Sequence, residues 1–236
     1  MSTVLAAPPQ RGSSFERELK YVMPAGRALL VRAMVSALCR PDPEYPAAVV
    51  STIYYDTPEL ALLSEKINSD YLKTKVRLRW YSPDRGASAA FLEVKQRVGA
   101  FRHKARTATG LSAARAAGLP IDHPALTDVL ALAAPLGMPA PARLMPALLL
   151  RYERFRFIEP VSGSRISVDT GIEAVRGNPR LVGHGFQHRL SSAVVEVKGD
   201  GSDLPRALHV LIPLGARRAS FSKYGEAGIA LLRYLR

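Results

Sequence analysis

The chain has 236 residues, 47% of them hydrophobic, enough for one large soluble domain or two small ones with a real core. Lysine and arginine outnumber aspartate and glutamate by 33 to 20, and the net charge of +13 favours an anionic partner: nucleic acid, an acidic membrane surface or a phosphate-rich small molecule. The single cysteine, Cys39, excludes an internal disulfide and fits a reducing compartment, with the cytosol as default, and no apolar run approaches the ~20 residues of a membrane-spanning helix.

The opening "MSTVLAAPPQRGSS" lacks the apolar core of a signal peptide, and residues 1–14 are expected to form a disordered tail. "FERELKY" follows as a strand with Phe15, Arg17, Leu19 and Tyr21 on one face and Glu16, Glu18 and Lys20 on the other. Pro24 suits a first helical turn, and "AGRALLVRAMVSALCR" places Leu29, Leu30, Ala33, Met34, Ala37 and Leu38 at helical spacing until Pro41 stops it. These residues are the expected buried face, and Cys39 is assigned to the core. Further strands are expected at 48–56, 73–81, 89–97, 148–158, 164–175 and 191–199. Between them, residues 105–146 are rich in Ala, Leu and Pro and read as a helical insertion with two short helices. The final "YGEAGIALLRYLR" is an amphipathic helix with Ile229, Leu232 and Leu235 close in angle.

Chemistry enters through the strands. "KTKVRLRWY" sets Lys73, Lys75, Arg77 and Arg79 on one face at spacings of roughly 6.5–7 Å, with Thr74, Val76, Leu78 and Trp80 opposite. "LEVKQR" aligns Glu93, Lys95 and Arg97; "RYERFRF" aligns Tyr152, Arg154 and Arg156; "VVEVKG" aligns Glu196 and Lys198. A single strand of this kind is ordinarily a solvated sheet face. Several together, on a sheet that closes on itself, would line a bore in which cations repel and lose hydration unless an anion compensates them. A linear polyphosphate supplies that balance, with oxygens suited to arginine forks and lysine point charges.

Glu16-x-Glu18-x-Lys20 on the opening strand resembles the signature of the triphosphate tunnel metalloenzymes, the CYTH-like superfamily. With "STIYYDTPEL", "KVRLRWY", "FLEVKQR", "RYERFRF", "SRISVDTGI", "VVEVKG" and "FSKYGEAG" in that order, the chain resembles the polyphosphate-polymerase domain of the vacuolar transporter chaperone (VTC) family from about residue 15 to 232. The resemblance implies an α+β fold: a closed, antiparallel, eight-stranded β-tunnel with flanking helices and the insertion at about 105–146, within a domain of residues 15–236. It implies that Lys20, Arg77, Arg79, Lys95, Arg154 and Lys223 hold and process phosphates, with Tyr152, Arg165 and Lys198 beside them. Glu196 is the metal-ligand candidate, and Glu16, Glu18 and Glu93 are weaker ones, for Mn²⁺ or Mg²⁺. It implies ATP or another nucleoside triphosphate as donor and inorganic polyphosphate as product. Relatives work at a membrane with translocating partners, so the expected location is cytoplasmic, at the inner face of a membrane through a partner protein.

Direction stays open at this stage. A polymerase uses a terminal phosphate of the growing chain as attacker, whereas a hydrolase must orient water, for which Glu16 and Glu18 are candidates. A non-catalytic polyphosphate binder is a third reading. Nucleic acid is the weaker ligand, because only 7% of residues are aromatic and the basic residues follow strand alternation. Loss of Arg77 or Arg79 is expected to cripple phosphate binding with folding nearly intact. The pair His184 and His188 in "GHGFQH" sits among glycines and does not make a zinc site, "KGDGSD" reads as a turn, and Trp80 is expected to be buried rather than stacked on a base.

Overall fold

The structure, a computed structural model, describes residues 17–82, 88–99, 101–136, 143–182 and 185–235. Glu16, His184 and the expected tail at 1–14 lie outside the described residues. In chain order the elements are β1 (Arg17–Pro24), α1 (Ala28–Leu38), β2 (Arg40–Pro41), β3 (Ala47–Asp56), α2 (Ala61–Ile67), β4 (Leu72–Ser82), β5 (Ala89–Val98) and β6 (Phe101–Ser112). There follow α3 (Ala113–Gly118), α4 (Pro124–Asp128), β7 (Met145–Ile158), β8 (Arg165–Gly177), α5 (Pro179–Val182), β9 (His188–Arg189), β10 (Ser192–Gly199), β11 (Arg217–Arg218) and α6 (Lys223–Tyr234).

All the strands join one antiparallel sheet in the order β11-β1-β10-β8-β7-β3-β4-β5-β6, with β2 attached to β7 and β9 to β8. This corrects the expected closed, eight-stranded barrel. Among the described residues the sheet has eleven strands, and β6 does not pair with β1, so the ring stays open. The sheet nevertheless rolls: Glu18 on β1 and Lys95 on β5 lie close enough to shift each other, and the charge of Lys198 on β10 reaches Lys104 on β6 and lowers it. Twist carried over many strands brings distant strands face to face without edge hydrogen bonds.

Strand alternation puts apolar side chains outside the roll, where helices cover them. Ile53, Val76, Leu78, Trp80, Leu92 and Val94 pack under the helical segment, against Ala113, Ala116, Leu126 and Val129. Leu19, Tyr21, Val168, Val195 and Val197 pack under α1 and the 3-10 turn Arg206–Leu211. The helical segment is shorter than expected, because residues 101–112 extend the sheet as β6. No helix among the described residues is long and apolar enough to cross a membrane.

The helix faces also differ from expectation. On α1 it is Ala28, Val31 and Val35 that are buried, while Leu29, Leu30, Ala33, Met34 and Ala37 are exposed. The helix is apolar almost all round, so periodicity could not choose a side, and the smaller and β-branched residues face the sheet. On α6 the buried face is Tyr224, Ala227, Gly228 and Leu231; Ile229 and Leu232 are half-buried and Leu235 is exposed. Here close approach decides, since a Cβ on Gly228 would lie 2.4 Å from Leu63 Cδ1.

Candidate active site

The inner face of the roll collects the polar half of each alternating strand, and it divides into two walls. On the first wall, β1, β10, β8 and β7 bring three carboxylates among their partners. Asp169, fully buried, accepts from Arg154 Nε and Nη2, both at 2.6 Å, and from Lys223 Nζ at 2.5 Å. Glu196 accepts from Arg154 Nη2 at 3.0 Å and lies 3.6 Å from Lys223 and 3.9 Å from Lys20. Glu18 pairs with Lys20 at 3.2 Å. The antiparallel register makes the group, setting Lys20 opposite Glu196, Glu18 opposite Lys198, and Arg154 opposite Asp169. Lys223 arrives from the start of α6, where Ser222 caps the helix by accepting from Gly225 N.

Burial opposes every one of these charges, and the opposite charges win. Asp169 stays below the usual carboxylate range because Arg154 and Lys223 outweigh burial and Glu196. Glu196 is held well below it by Arg154, Lys223, Lys20 and Lys198 against the same burial. Glu18 is pushed up by burial and by Glu196, yet Lys20, Lys198 and Lys95 bring it lower overall. Lys223, which burial alone would discharge, is raised by Asp169 and Glu196. Tyr152 floors this wall, with Lys223 Nζ 4.6 Å and Arg154 Cζ 5.5 Å from its ring centre.

The second wall is formed by β4, β5 and β6. Its innermost rank, Arg77–Glu93–Arg106, contains one carboxylate, on which Arg77 Nε closes at 2.7 Å, Arg79 Nη1 at 3.7 Å and Arg106 Nε at 3.8 Å. Burial would raise Glu93, but Arg77 and Arg79 drive it far below the ordinary value. Arg106 stacks 3.7 Å over Phe91, and its buried Nε has no hydrogen-bond partner among the described residues. The next two ranks are Lys75–Lys95–Lys104 and Lys73–Arg97–Arg102, and neither contains an acid. Like charges directly opposite across a sheet repel. Burial, then Arg77, Lys104 and Arg79, bring Lys95 down to about 6 despite Glu18, and burial with Arg77, Lys20 and Lys66 brings Lys75 down to about 8. Tyr54 stacks on Tyr224 at 4.9 Å; burial would raise it, but Arg77, Lys75, Arg79 and Lys223 lower it to about 8.

The roll thus gathers Glu18, Lys20, Arg77, Arg79, Glu93, Lys95, Tyr152, Arg154, Glu196, Lys198 and Lys223 on its inner face. Arg165 lies exposed at the start of β8, in register with Lys198. Glu93 is enclosed by guanidinium groups and anchors arginines. Asp169 was not singled out in the sequence, although "SRISVDTGI" alternates and places it on the face of Ser167 and Arg165. Arg106 was hidden by assigning 105–146 to helix, and Lys104 fell between that segment and the strand expected at 89–97; the signal was the alternation of Arg102, Lys104 and Arg106 in "FRHKAR".

The VTC domain profile matches residues 15–233. The chain belongs to the VTC domain family. No curated protein matches the sequence. Among solved structures, the VTC domain here is similar to a Hippeastrum protein, HpAC1, named as an adenylyl cyclase and described as having a dominant triphosphatase activity. That likeness has a TM-score of 0.52 at 16% identity and covers 90% of this chain and 96% of the other. Proteins named as adenylate cyclases from Vibrio parahaemolyticus (TM-score 0.48, 16% identity, covering 92% and 99%) and Bacillus halodurans (0.46, 14%, 88% and 92%) are also similar. The VTC domain therefore shares the rolled α+β fold of HpAC1.

Proposed function

We propose that this VTC domain, taken as residues 15–236, is a metal-dependent phosphotransferase that extends inorganic polyphosphate with the terminal phosphoryl group of ATP or another nucleoside triphosphate. One observation carries the reading: a wall with neutralised carboxylates faces a wall whose outer cation ranks hold no acid. A string of phosphates bound between them would supply the missing negative charge along its length. In this reading Arg77, Arg79, Arg154, Lys20, Lys95 and Lys223 grip phosphate oxygens, Tyr152 floors the site, and Lys198 and Arg165 continue the track toward the mouth.

Among the described residues no group of three or more His, Cys, Asp or Glu could hold a metal, and both oxygens of Asp169 are engaged by cations. Glu18 and Glu196 are neighbours on adjacent strands, and the charge of Glu196 pushes Glu18 up. Two carboxylates suit Mg²⁺ or Mn²⁺, which take one or two protein oxygens and complete the shell with phosphate and water. We infer that Glu196 and Glu18 would hold the ion, with Glu16 joining them by motif position and Glu93 serving the arginines. When bound, such an ion would neutralise phosphate charge.

The transfer needs little else from the chain. A terminal oxygen of the polyphosphate attacks the γ-phosphorus, the bond from that phosphorus to the β,γ-bridging oxygen breaks, and the nucleoside diphosphate leaves with the electron pair. Arg77, Arg79 and Arg154 align the equatorial oxygens and stabilise the charge spread over them. A second reading, a triphosphate hydrolase, is favoured by the fold shared with HpAC1 and its described triphosphatase activity.

Incubation with ATP and Mn²⁺ or Mg²⁺, followed by electrophoresis for chain length, separates the two. Chains longer than the donor support the polymerase; free phosphate alone, across metals and primers, supports the hydrolase and overturns the polymerase. Glu196→Gln is expected to keep tripolyphosphate binding and to lose metal-stimulated turnover by at least ~10-fold. Full activity in that variant would move the metal elsewhere.

A further inference from the structure

The outer surface of α1 is as unusual as the bore. Leu29 is 74% exposed, Leu30 and Met34 39% each, and Ala33 and Ala37 are exposed with them. At 100° per residue these five side chains fall within one arc on the side away from the sheet, and no charged residue of α1 falls inside it. The 3-10 turn Arg206–Leu211 packs beside α1 and adds two more exposed apolar side chains, Val210 at 44% and, just beyond the turn, Ile212 at 54%. A contiguous exposed apolar patch on a soluble protein marks something that covers it.

The charges around the patch identify the covering. Residues 19–41 contain no acid and carry Arg27, Arg32 and Arg40. Residues 204–225 contain none either and carry Arg206, His209, Arg217 and Arg218 outside the bore. Arg27, Arg40, Arg206, Arg217 and Arg218 are all exposed; of the four acids that border the two stretches, Glu18 pairs with Lys20, Asp42 accepts from Tyr45 N, Asp203 accepts from the Tyr21 hydroxyl, and Glu226 is exposed on α6. Leu29 is the most exposed side chain of the patch, and Ser36 and Arg27 flank its two edges.

We infer that this face docks onto an anionic lipid bilayer, with Leu29, Leu30 and Met34 entering the headgroup boundary and the surrounding arginines meeting lipid phosphates. Apolar side chains on one helical face with basic flanks are what an interfacial helix needs. A second copy of this chain fits less well, because it would bring the same arginines against these. The inference does not depend on the reaction in the bore.

The test is co-sedimentation of the full chain with vesicles, in excess tripolyphosphate to occupy the bore. The protein is expected to pellet with vesicles of phosphatidylcholine mixed with phosphatidylglycerol, and at least ~10-fold less with phosphatidylcholine alone. The double variant Leu29→Glu/Met34→Glu should lose that binding by at least ~10-fold with an unchanged thermal midpoint, because both side chains are exposed. Val161→Glu, at an exposed apolar residue outside both acid-free stretches, should bind as the wild type does. Wild-type protein that stays in solution with anionic vesicles, or a double variant that binds normally, overturns the inference. A wild-type dimer in sedimentation velocity that the double variant dissolves would assign the face to a second copy and overturn it equally.

Discussion

The two walls of the bore solve the problem of buried charge in opposite ways. On the β1–β10–β8–β7 wall each carboxylate has at least one cation at hydrogen-bond distance, and Arg154 hydrogen-bonds both Asp169 and Glu196. On the β4–β5–β6 wall, among the described residues, Glu93 is the carboxylate of its rank, and the ranks of Lys75 and Lys73 contain no acid. The first wall is therefore complete when empty, whereas the second is under repulsion until an anion arrives. Preorganised cations of this kind give up stability for binding.

The sharpest way to break the contrast is Arg154→Ala, which strips Asp169 and Glu196 of their shared partner. Breaking a buried pair from one side costs about 3–5 kcal/mol, and chemical denaturation should show a loss in that range together with lost tripolyphosphate binding. A midpoint within error of wild type would mean that Lys223 and Lys20 suffice.

Arg77→Ala comes next. The sequence suggested that only binding would suffer, but Arg77 holds buried Glu93, and Arg79 and Arg106 stand farther from that carboxylate. A loss of about 3 kcal/mol should accompany the loss of affinity, and a variant as stable as wild type would refute the anchoring role of Glu93.

On the second wall the sign reverses. Lys75→Gln or Lys95→Gln removes like-charge contacts, so the empty protein should gain about 0.2–1 kcal/mol while binding tripolyphosphate more weakly. Thermal melts with and without tripolyphosphate check both halves. Destabilisation of the empty form would show that these lysines are compensated after all.

The smallest effect is read in protons. Lys95 at about 6 and Lys75 at about 8 lie below the ordinary lysine value of 10.5. The unfolded chain thus binds more protons at these two sites from about pH 6 upward, and their contribution makes the empty protein more stable as pH rises through that window. A bound polyanion restores both charges, so binding takes up protons and weakens as pH rises, by at most about tenfold per pH unit for each lysine. Calorimetry in two buffers of different ionisation heat measures the uptake; none at pH 7 would mean that Lys95 is already charged in the empty bore.

The strands were legible because alternation is a local rule. A residue two positions from Arg77 shares its face whatever the rest of the chain does, and so Glu18, Lys20, Arg79, Lys95, Arg154 and Glu196 were placed correctly on the inner face. Ring closure was not legible, because it depends on the twist accumulated over the whole sheet. β6 was missed because its alanines and glycine weaken the strand pattern of "FRHKARTATG", although its basic residues alternate. The helix faces failed for another reason. α1 has too many apolar residues for periodicity to discriminate, and α6 buries glycine and alanine, whose value lies in closeness to Leu63 and not in hydrophobicity.

Asp56 ties three parts of the chain into a knot. Its two oxygens accept from Thr57 N, Leu62 N and Leu63 N at the start of α2 and from the Tyr224 hydroxyl on α6. Lys223 immediately precedes that tyrosine, so the cation serving Asp169 and Glu196 is moored to strand β3 through a carboxylate it never touches. Helix α6 is consequently held to β3 and the start of α2. Loosening the knot would unseat a charge of the inner chamber without altering a single residue that faces it.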